Sequence, residues 1–110
     1  MGITKSEIFS PQQNQIATIA KAFGHPARVA ILQHLFKINS CICGDLVAII
    51  GLAQPTISQH LKELKNLGII KGTVEGTSVC YCIDQEYWKE TAALFNAFFG
   101  QQLNEKGECC

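Results

Sequence analysis

The sequence QPTISQHLKELKNL, Gln54 to Leu67, decides how this chain is organised. Its large apolar side chains recur at the spacing of one helical face, and they are Ile57, Leu61, Leu64 and Leu67. Pro55 suits the first turn of a helix, because the N–H that proline lacks would have no helical partner there. Gly68 follows the last apolar residue, where a left-handed cap often ends a helix. The stretch is therefore predicted to form an amphipathic helix with one buried face.

The opposite face of this helix carries groups that can read DNA. It offers hydroxyls, amides and one cation, from Gln54, Thr56, Ser58, Gln59 and Lys62. Such donors and acceptors bind base edges or phosphates in a major groove. A solvated surface helix would have the same polarity, so the neighbouring elements must decide between the two interpretations.

Composition indicates one globular domain over residues 1–110, with 47% hydrophobic residues to build a core. The formal net charge is zero, so DNA binding would depend on local charge and on dimer geometry. The sequence has no apolar run of membrane-spanning length and no signal peptide, so we expect a cytoplasmic protein without a membrane partner. In that compartment the six cysteines are expected to be mostly reduced thiols.

Helices are predicted before this stretch at residues 11–23 and 26–36, after a loose lead-in over residues 1–9. A short helix at 44–50 then leads through Gly51 into the helix at Gln54, which together make a helix-turn-helix. The side chains expected to face inward from the first two helices are Ile16, Ile19, Ala20, Phe23, Val29, Leu32 and Leu35.

After Gly68 the apolar period changes from that of a helix to that of a strand. Residues 69–74 and 78–83 flank Glu75-Gly76, which predicts a hairpin that would form a wing. The last helix is predicted over residues 85–103, and its aromatic side chains spread over more than one stripe. Since one core cannot bury them all, a second copy of the chain is expected to cover the rest. Residues 10–103 then form the ordered core, and residues 104–110 form a cysteine-bearing tail.

Two segments, HPARVAIL (25–32) and GDLVAIIGLAQPTISQHLKELKNLGII (44–70), resemble the ArsR/SmtB family of metal-sensing repressors. The resemblance implies a mainly helical, homodimeric winged helix-turn-helix with four helices, a β-hairpin wing and a fifth helix. Its first and last helices would form the dimer interface. It also implies a non-enzymatic repressor that binds double-stranded operator DNA and leaves it when an inducer binds. The family's DNA contacts would fall on Gln54, Thr56, Ser58, Gln59 and His60, and Lys62 adds positive charge beside them.

The six cysteines form three pairs in the sequence, Cys41 with Cys43, Cys80 with Cys82, and Cys109 with Cys110. In a strand, residues i and i+2 project to one face with Cα atoms ~6.6 Å apart. That distance is near the upper limit for a disulfide, whereas a thiophilic ion can bridge two thiolates with bonds of ~2.3 Å, as zinc does. The alternative is that these cysteines are small buried hydrophobic residues.

The resemblance leaves the inducer site open among these pairs. Arsenite- and cadmium-sensing relatives carry two thiols one residue apart just before an Asp-Leu. Alignment on Asp45-Leu46 puts Ile42 and Gly44 at the sensing positions. Either Gly44 is an insertion that restores the motif with Cys41 and Cys43, or these two thiols face inward.

The tail offers another route to the inducer, because Cys109 and Cys110 could chelate a soft three-coordinate ion with one further thiolate. An all-sulfur site without a nearby histidine favours As(III) or Sb(III). Cys80 and Cys82 rank last as ligands, on a wing face opposite Val79, Tyr81 and Ile83, whose side chains are expected to pack inward.

Two other functions remain open from the sequence. A repressor of the same fold could sense oxidants or sulfane sulfur through low-pKa dithiols. A small thiol oxidoreductase or a protein-binding winged helix is the more distant alternative, because the chain has no C-x-x-C motif in a βαβ pattern.

Overall fold

The structure, a computed structural model, describes residues 5–42, 46–75 and 78–103. Within these ranges, six helices and one antiparallel hairpin follow one another in the order α1 (Lys5–Ile8), α2 (Pro11–Ala22), α3 (Pro26–Ile38), α4 (Leu46–Ile50), α5 (Gln54–Leu67), β1 (Ile70–Glu75), β2 (Ser78–Ile83) and α6 (Gln85–Phe99). This arrangement is the predicted winged helix-turn-helix, with α4 and α5 as its two helices and the hairpin as its wing.

Local signals set most of the helix boundaries. The Ser10 hydroxyl accepts a hydrogen bond from the backbone N–H of Gln13 at 3.1 Å. The side-chain oxygen of Gln13 accepts one from the backbone N–H of Ser10 at 2.9 Å. This reciprocal capping box starts α2, and Pro11 follows it. Helix α5 ends at Gly68, which adopts the expected left-handed conformation with φ 94°.

Three predicted boundaries differ from the structure by two residues or more. Residues 5–8 of the predicted lead-in form the short helix α1. Helix α3 runs two residues past Phe36 and ends at left-handed Asn39. The last helix stops at Phe99 and does not reach Leu103, because Gly100 follows and a poor helix former there ends the helical run.

The core lies between α2, α3, α5 and the hairpin. The predicted apolar face of α5 is buried, with Ile57 and Leu64 almost fully inaccessible. The other members of this core are Ile19, Ala22, Ile31, Leu32, Leu35, Ile42, Leu46, Leu61, Ile69 and Ile70. Two predicted core residues are misplaced, since Ala20 is exposed and Val29 is 37% exposed. The buried side of α3 is centred on Ile31 and Leu35, which turns Val29 toward a groove beside Trp88.

The hairpin pairs β1 with β2 from Ile70 opposite Ile83 to Glu75 opposite Ser78. Glu75, which was predicted to lie in the connection, is instead the last residue of β1. Residues 76 and 77 lie outside the described residues. A second strand pairing involves β2, since Ile42, in the segment before α4, forms an antiparallel bridge with Tyr81. The two residues exchange backbone hydrogen bonds of 2.8 and 2.9 Å, which attaches the segment before α4 to the outer edge of β2.

One residue expected on the inner face of the hairpin is misplaced, while Tyr81 and Ile83 pack against the core as expected. Cys80 is completely buried, whereas Val79, which was expected to pack inward, is 42% exposed. Val79 lies next to the loop end of the hairpin, where the helices do not cover it, and two residues further along β2 Tyr81 forms the bridge to Ile42.

Helix α6 packs its first half on the core and leaves its end uncovered. Trp88 contacts the ring of Phe36 edge-on at a centroid distance of 4.7 Å, and Phe23 at 6.1 Å. Phe98 and Phe99 are 47% and 71% exposed. The apolar residues of this helix therefore exceed what the core of a single chain buries.

Candidate nucleic-acid interface and thiol cleft

The polar face of α5 is exposed over its first three turns. Four of the predicted DNA contacts, Gln54, Thr56, Ser58 and Gln59, are exposed, as is Lys62. Because the opposite face is anchored in the core by Ile57, Leu61 and Leu64, the helix backbone is held while these side chains stay accessible. This is the arrangement that a recognition helix needs to enter a major groove.

Hydrogen bonds along α5 orient two of these side chains. The amide of Gln54 donates to the Ser58 hydroxyl at 2.9 Å, and the amide of Gln59 donates to the Glu63 carboxylate at 3.0 Å. Both pairs are four residues apart, which places their side chains one above the other on the helix surface. The contacts link neighbouring side chains and keep them extended along the exposed face.

His60 lies at the edge of this face and is half-buried. Its Nδ1 atom accepts a hydrogen bond from Nε of Arg28 at 3.0 Å, and its ring lies 5.6 Å from that of His25. Burial lowers the pKa of His60 below its ordinary value, and the charges of Arg28 and His25 lower it further. The residue therefore joins α3 to α5 as a neutral imidazole. The sequence left open whether it packs or contacts DNA, and gave no sign of Arg28 as its partner.

Two free cysteines, one in the segment before α4 and one on β2, lie beside the Ile42–Tyr81 bridge. Cys41 is exposed and Cys82 is half-buried, and both are free. The bridge between Ile42 and Tyr81 places Cys41 opposite Cys82. Burial first, and then the neighbouring Cys41 thiol, raises the pKa of the Cys82 thiol above its ordinary value. Cys80, the other cysteine of β2, is completely buried and disulfide-bonded, in contrast to the expected reduced thiols.

The two free thiols line an open cleft of about 430 Å³ between the end of α3, the hairpin and the start of α6. Lys71 and Asp84 also line this cleft, beside Cys82. Spacing along the chain pairs Cys41 with Cys43 and Cys80 with Cys82. The cross-strand approach of Cys41 to Cys82 has no signal in the spacing.

The remaining predicted ligands, Cys43, Cys109 and Cys110, lie outside the described residues. Within residues 5–42, 46–75 and 78–103, no three His, Cys, Asp or Glu side chains come close enough to hold a metal ion. The described part of the chain thus offers a two-thiol site and not a closed metal site. The same part has no helix that is both long and apolar enough to cross a membrane.

Comparison with known proteins agrees with this geometry. The model of the family described as "Bacterial regulatory protein, arsR family" matches residues 25–71, from the start of α3 to the start of β1. The HTH-type transcriptional regulator MJ1325 of Methanocaldococcus jannaschii, itself uncharacterised, is 43% identical over 71% of this chain and 88% of its own length. The chain belongs to the ArsR family. A cadmium resistance transcriptional regulatory protein, a CadC homologue of Staphylococcus aureus, is 36% identical over 78% of this chain and 71% of its own.

Solved structures of similar proteins extend the match beyond the helix-turn-helix. The crystal structure of the transcriptional repressor BigR of Xylella fastidiosa superposes with a TM-score of 0.61 at 25% identity, over 91% of this chain and 100% of that one. This ArsR-family chain is therefore a transcriptional regulator and not an enzyme, as the resemblance implied. Helix α5 is the second helix of its helix-turn-helix.

Proposed function

We propose that this ArsR-family protein is a homodimeric repressor that binds double-stranded operator DNA through α5 and leaves it when cysteine thiolates bind As(III) or Sb(III). The observation that carries the DNA-binding part is the division of α5 into two faces. Ile57 and Leu64 fix the helix in the core, and Ser58 and Gln59 project from it into solvent.

The start of α5 supports a phosphate contact as well. Ala53 precedes the helix and supplies no side-chain cap, so the first amides of α5 have no capping side chain among the described residues. Pro55 has no N–H, and the Thr56 and Ile57 amides donate to the Ala53 carbonyl. The attraction for phosphate at this end therefore comes from the backbone amide of Gln54 and the helix dipole. Since the net charge of the chain is zero, such local contacts have to supply the electrostatic part of DNA binding.

Uncovered apolar surface supports the homodimer. Phe98 and Phe99 are exposed at the end of α6, and Ile8 and Phe9 are 70% and 51% exposed before α2. A cavity of about 420 Å³ lies between α2 and the end of α6, with Ile16 and Phe98 in its wall. Contact with a second copy through the first and last helices would remove this surface from water.

Soft-ion binding is supported by the thiols. Cys41 and Cys82 are free in an open cleft, and thiolates prefer soft ions. Cys109 and Cys110, with Cys43, remain predicted ligands on the grounds of sequence alone. The relative from Staphylococcus aureus carries cadmium resistance in its name, so a soft divalent metal is a further inducer to test.

The proposal is tested by measuring operator release. An operator is first selected from a random DNA pool, and binding of the reduced protein is followed by fluorescence anisotropy against a scrambled duplex of equal length. Arsenite, antimonite, cadmium and hydrogen peroxide are then titrated separately. Release by arsenite or antimonite at concentrations that leave the scrambled duplex unaffected supports the proposal, and failure of all four to release the DNA would overturn the inducer assignment.

A thiol redox sensor is the second candidate, and the placement of the free thiols of Cys41 and Cys82 on either side of the Ile42–Tyr81 bridge favours it. Hydrogen peroxide could oxidise the two neighbouring thiols to a disulfide and be reduced to two water molecules, or a persulfide could do so and be reduced to a thiol and hydrogen sulfide. Release by peroxide without release by arsenite would favour this function.

A further inference from the structure

We propose that Cys41 and Cys82 form a vicinal dithiol site that chelates trivalent arsenic and thereby links the segment before α4 to the wing strand β2. This inference rests on the proposed function for its effect on DNA, but the site itself can be tested without DNA. It differs from the sequence predictions, which placed the inducer on cysteines neighbouring each other in the chain.

The strand pairing brings the two cysteines together. Ile42 and Tyr81 exchange both of their backbone hydrogen bonds, at 2.8 and 2.9 Å, which makes them a hydrogen-bonded antiparallel pair. The adjoining pair, Cys41 and Cys82, is therefore of the non-hydrogen-bonded kind, whose Cα atoms lie ~4.5 Å apart with their side chains on one face.

The cleft lets a small arsenical reach both sulfur atoms. Both cysteines lie in the wall of the same cavity of about 430 Å³. Cys41 is exposed, and neither of the two thiols is held in a disulfide. By contrast, Cys80 on the same strand is completely buried and disulfide-bonded, so it does not compete for the arsenical.

The reaction needs two thiols and no oxidant. Arsenous acid, As(OH)₃, loses two hydroxyl groups as it forms one As–S bond with each cysteine. Each departing hydroxyl takes the proton of one thiol and leaves as water, so arsenic stays trivalent and keeps its third hydroxyl. A phenylarsine oxide probe reacts in the same way with two thiols and releases one water molecule.

The position of the site explains how arsenic would affect DNA binding. Tyr81, next to Cys82, lines a cavity together with Gln54 and Ser58 at the start of α5. The Ile42–Tyr81 bridge thus lies between the thiols and the DNA-facing helix. Fixing Cys41 to Cys82 through arsenic would shift Tyr81 against Gln54 and Ser58. Coupling of this kind typically changes an affinity by ~5–150-fold.

The experiment uses the full chain with Cys109→Ser and Cys110→Ser as background, which removes the other neighbouring pair of thiols. Native mass spectrometry counts phenylarsine groups per chain after treatment with phenylarsine oxide. We expect one group on the background protein and none after adding Cys41→Ser or Cys82→Ser. Cys41 is exposed, so Cys41→Ser tests the site even if Cys82→Ser prevents folding, which circular dichroism would report.

Measurements of operator binding distinguish the proposed arsenic site at Cys41 and Cys82 from the proposed role of arsenic as the inducer. Arsenite should lower operator affinity of the background protein by 5-fold or more and leave that of the Cys41→Ser protein unchanged. If arsenite releases both proteins equally and the phenylarsine group remains, the Cys41–Cys82 site is wrong while the proposed function stands. If the group is bound through these two thiols but DNA is not released, the proposed inducer fails while the site stands.

Discussion

Nε of Arg28 donates a hydrogen bond to Nδ1 of His60 at 3.0 Å, and this contact joins the first residues of α3 to the DNA-facing helix α5. The guanidinium has donors only, so Nδ1 of His60 must be unprotonated to accept this bond. The imidazole is therefore neutral and carries its proton on Nε2, where it can donate. Protonation of Nδ1 would break the contact and place two cations side by side.

Stability is expected to fall as the pH drops below about 6.5, the ordinary pKa of histidine. Burial, Arg28 and His25 lower the pKa of His60 in the folded chain, so the unfolded chain takes up this proton first. As the pH falls from the His60 pKa of the unfolded chain to that of the folded chain, the free energy of unfolding decreases. Below the folded-state pKa both states are protonated, and this group causes no further loss of stability. Urea unfolding from pH 7.5 to 5 should show a steeper decline for the wild type than for His60→Gln, which keeps His25 and His34. Equal slopes in the two proteins would contradict the prediction.

Sequence preference in DNA binding is expected to depend on Ser58 and Gln59. Both are exposed on α5, and Ser58→Ala with Gln59→Ala would weaken operator binding by ~1–3 kcal/mol for each base that these side chains read. Gel shifts should show the double variant binding operator and scrambled DNA alike, with an unchanged circular dichroism spectrum. Asn66→Ala, at the far end of the same helix, serves as the control and should keep the preference. A double variant that still prefers the operator would show that α5 is not the reading helix.

Phe98→Glu is expected to give a folded monomer that binds operator weakly. Phe98 is 47% exposed in the single chain, and a glutamate there would bury a charge in the proposed interface. Asn96→Glu adds the same charge nearly opposite on α6, and it should remain dimeric. Sedimentation velocity at micromolar concentration measures both. A wild-type chain that sediments as a monomer would refute the proposed dimer.

Thr91→Val is expected to stabilise the fold by about 1 kcal/mol, because an unsatisfied buried polar group costs ~1–3 kcal/mol. Thr91 is 3% exposed, and its hydroxyl has no hydrogen-bond partner among the described residues. Thr91→Ser keeps the hydroxyl but removes the methyl group, so it should destabilise the fold. Urea midpoints with equal m-values measure both changes. A valine variant that unfolds at lower urea than the wild type would indicate that the hydroxyl has a partner in solution.

The sequence by itself determined the helix-turn-helix and the limits of its second helix. Gln54 and Leu67 bound α5 as predicted, because the signals are local: an apolar period of one face, a proline in the first turn and a glycine after the last. The same helical period of apolar residues also predicts that the side chains of Ser58 and Gln59 are exposed. Resemblance in this segment was also sufficient to indicate the family.

Only the tertiary structure decided which distant residues meet. Arg28 and His60 are 32 positions apart, and Cys41 reaches Cys82 through the bridge of Ile42 to Tyr81. The burial of Cys80 and the exposure of Val79 also depend on that bridge and on the end of the hairpin. Periodicity indicates which side chains share a face of one element. The register between elements is fixed by packing across the core, which spacing along the chain does not encode.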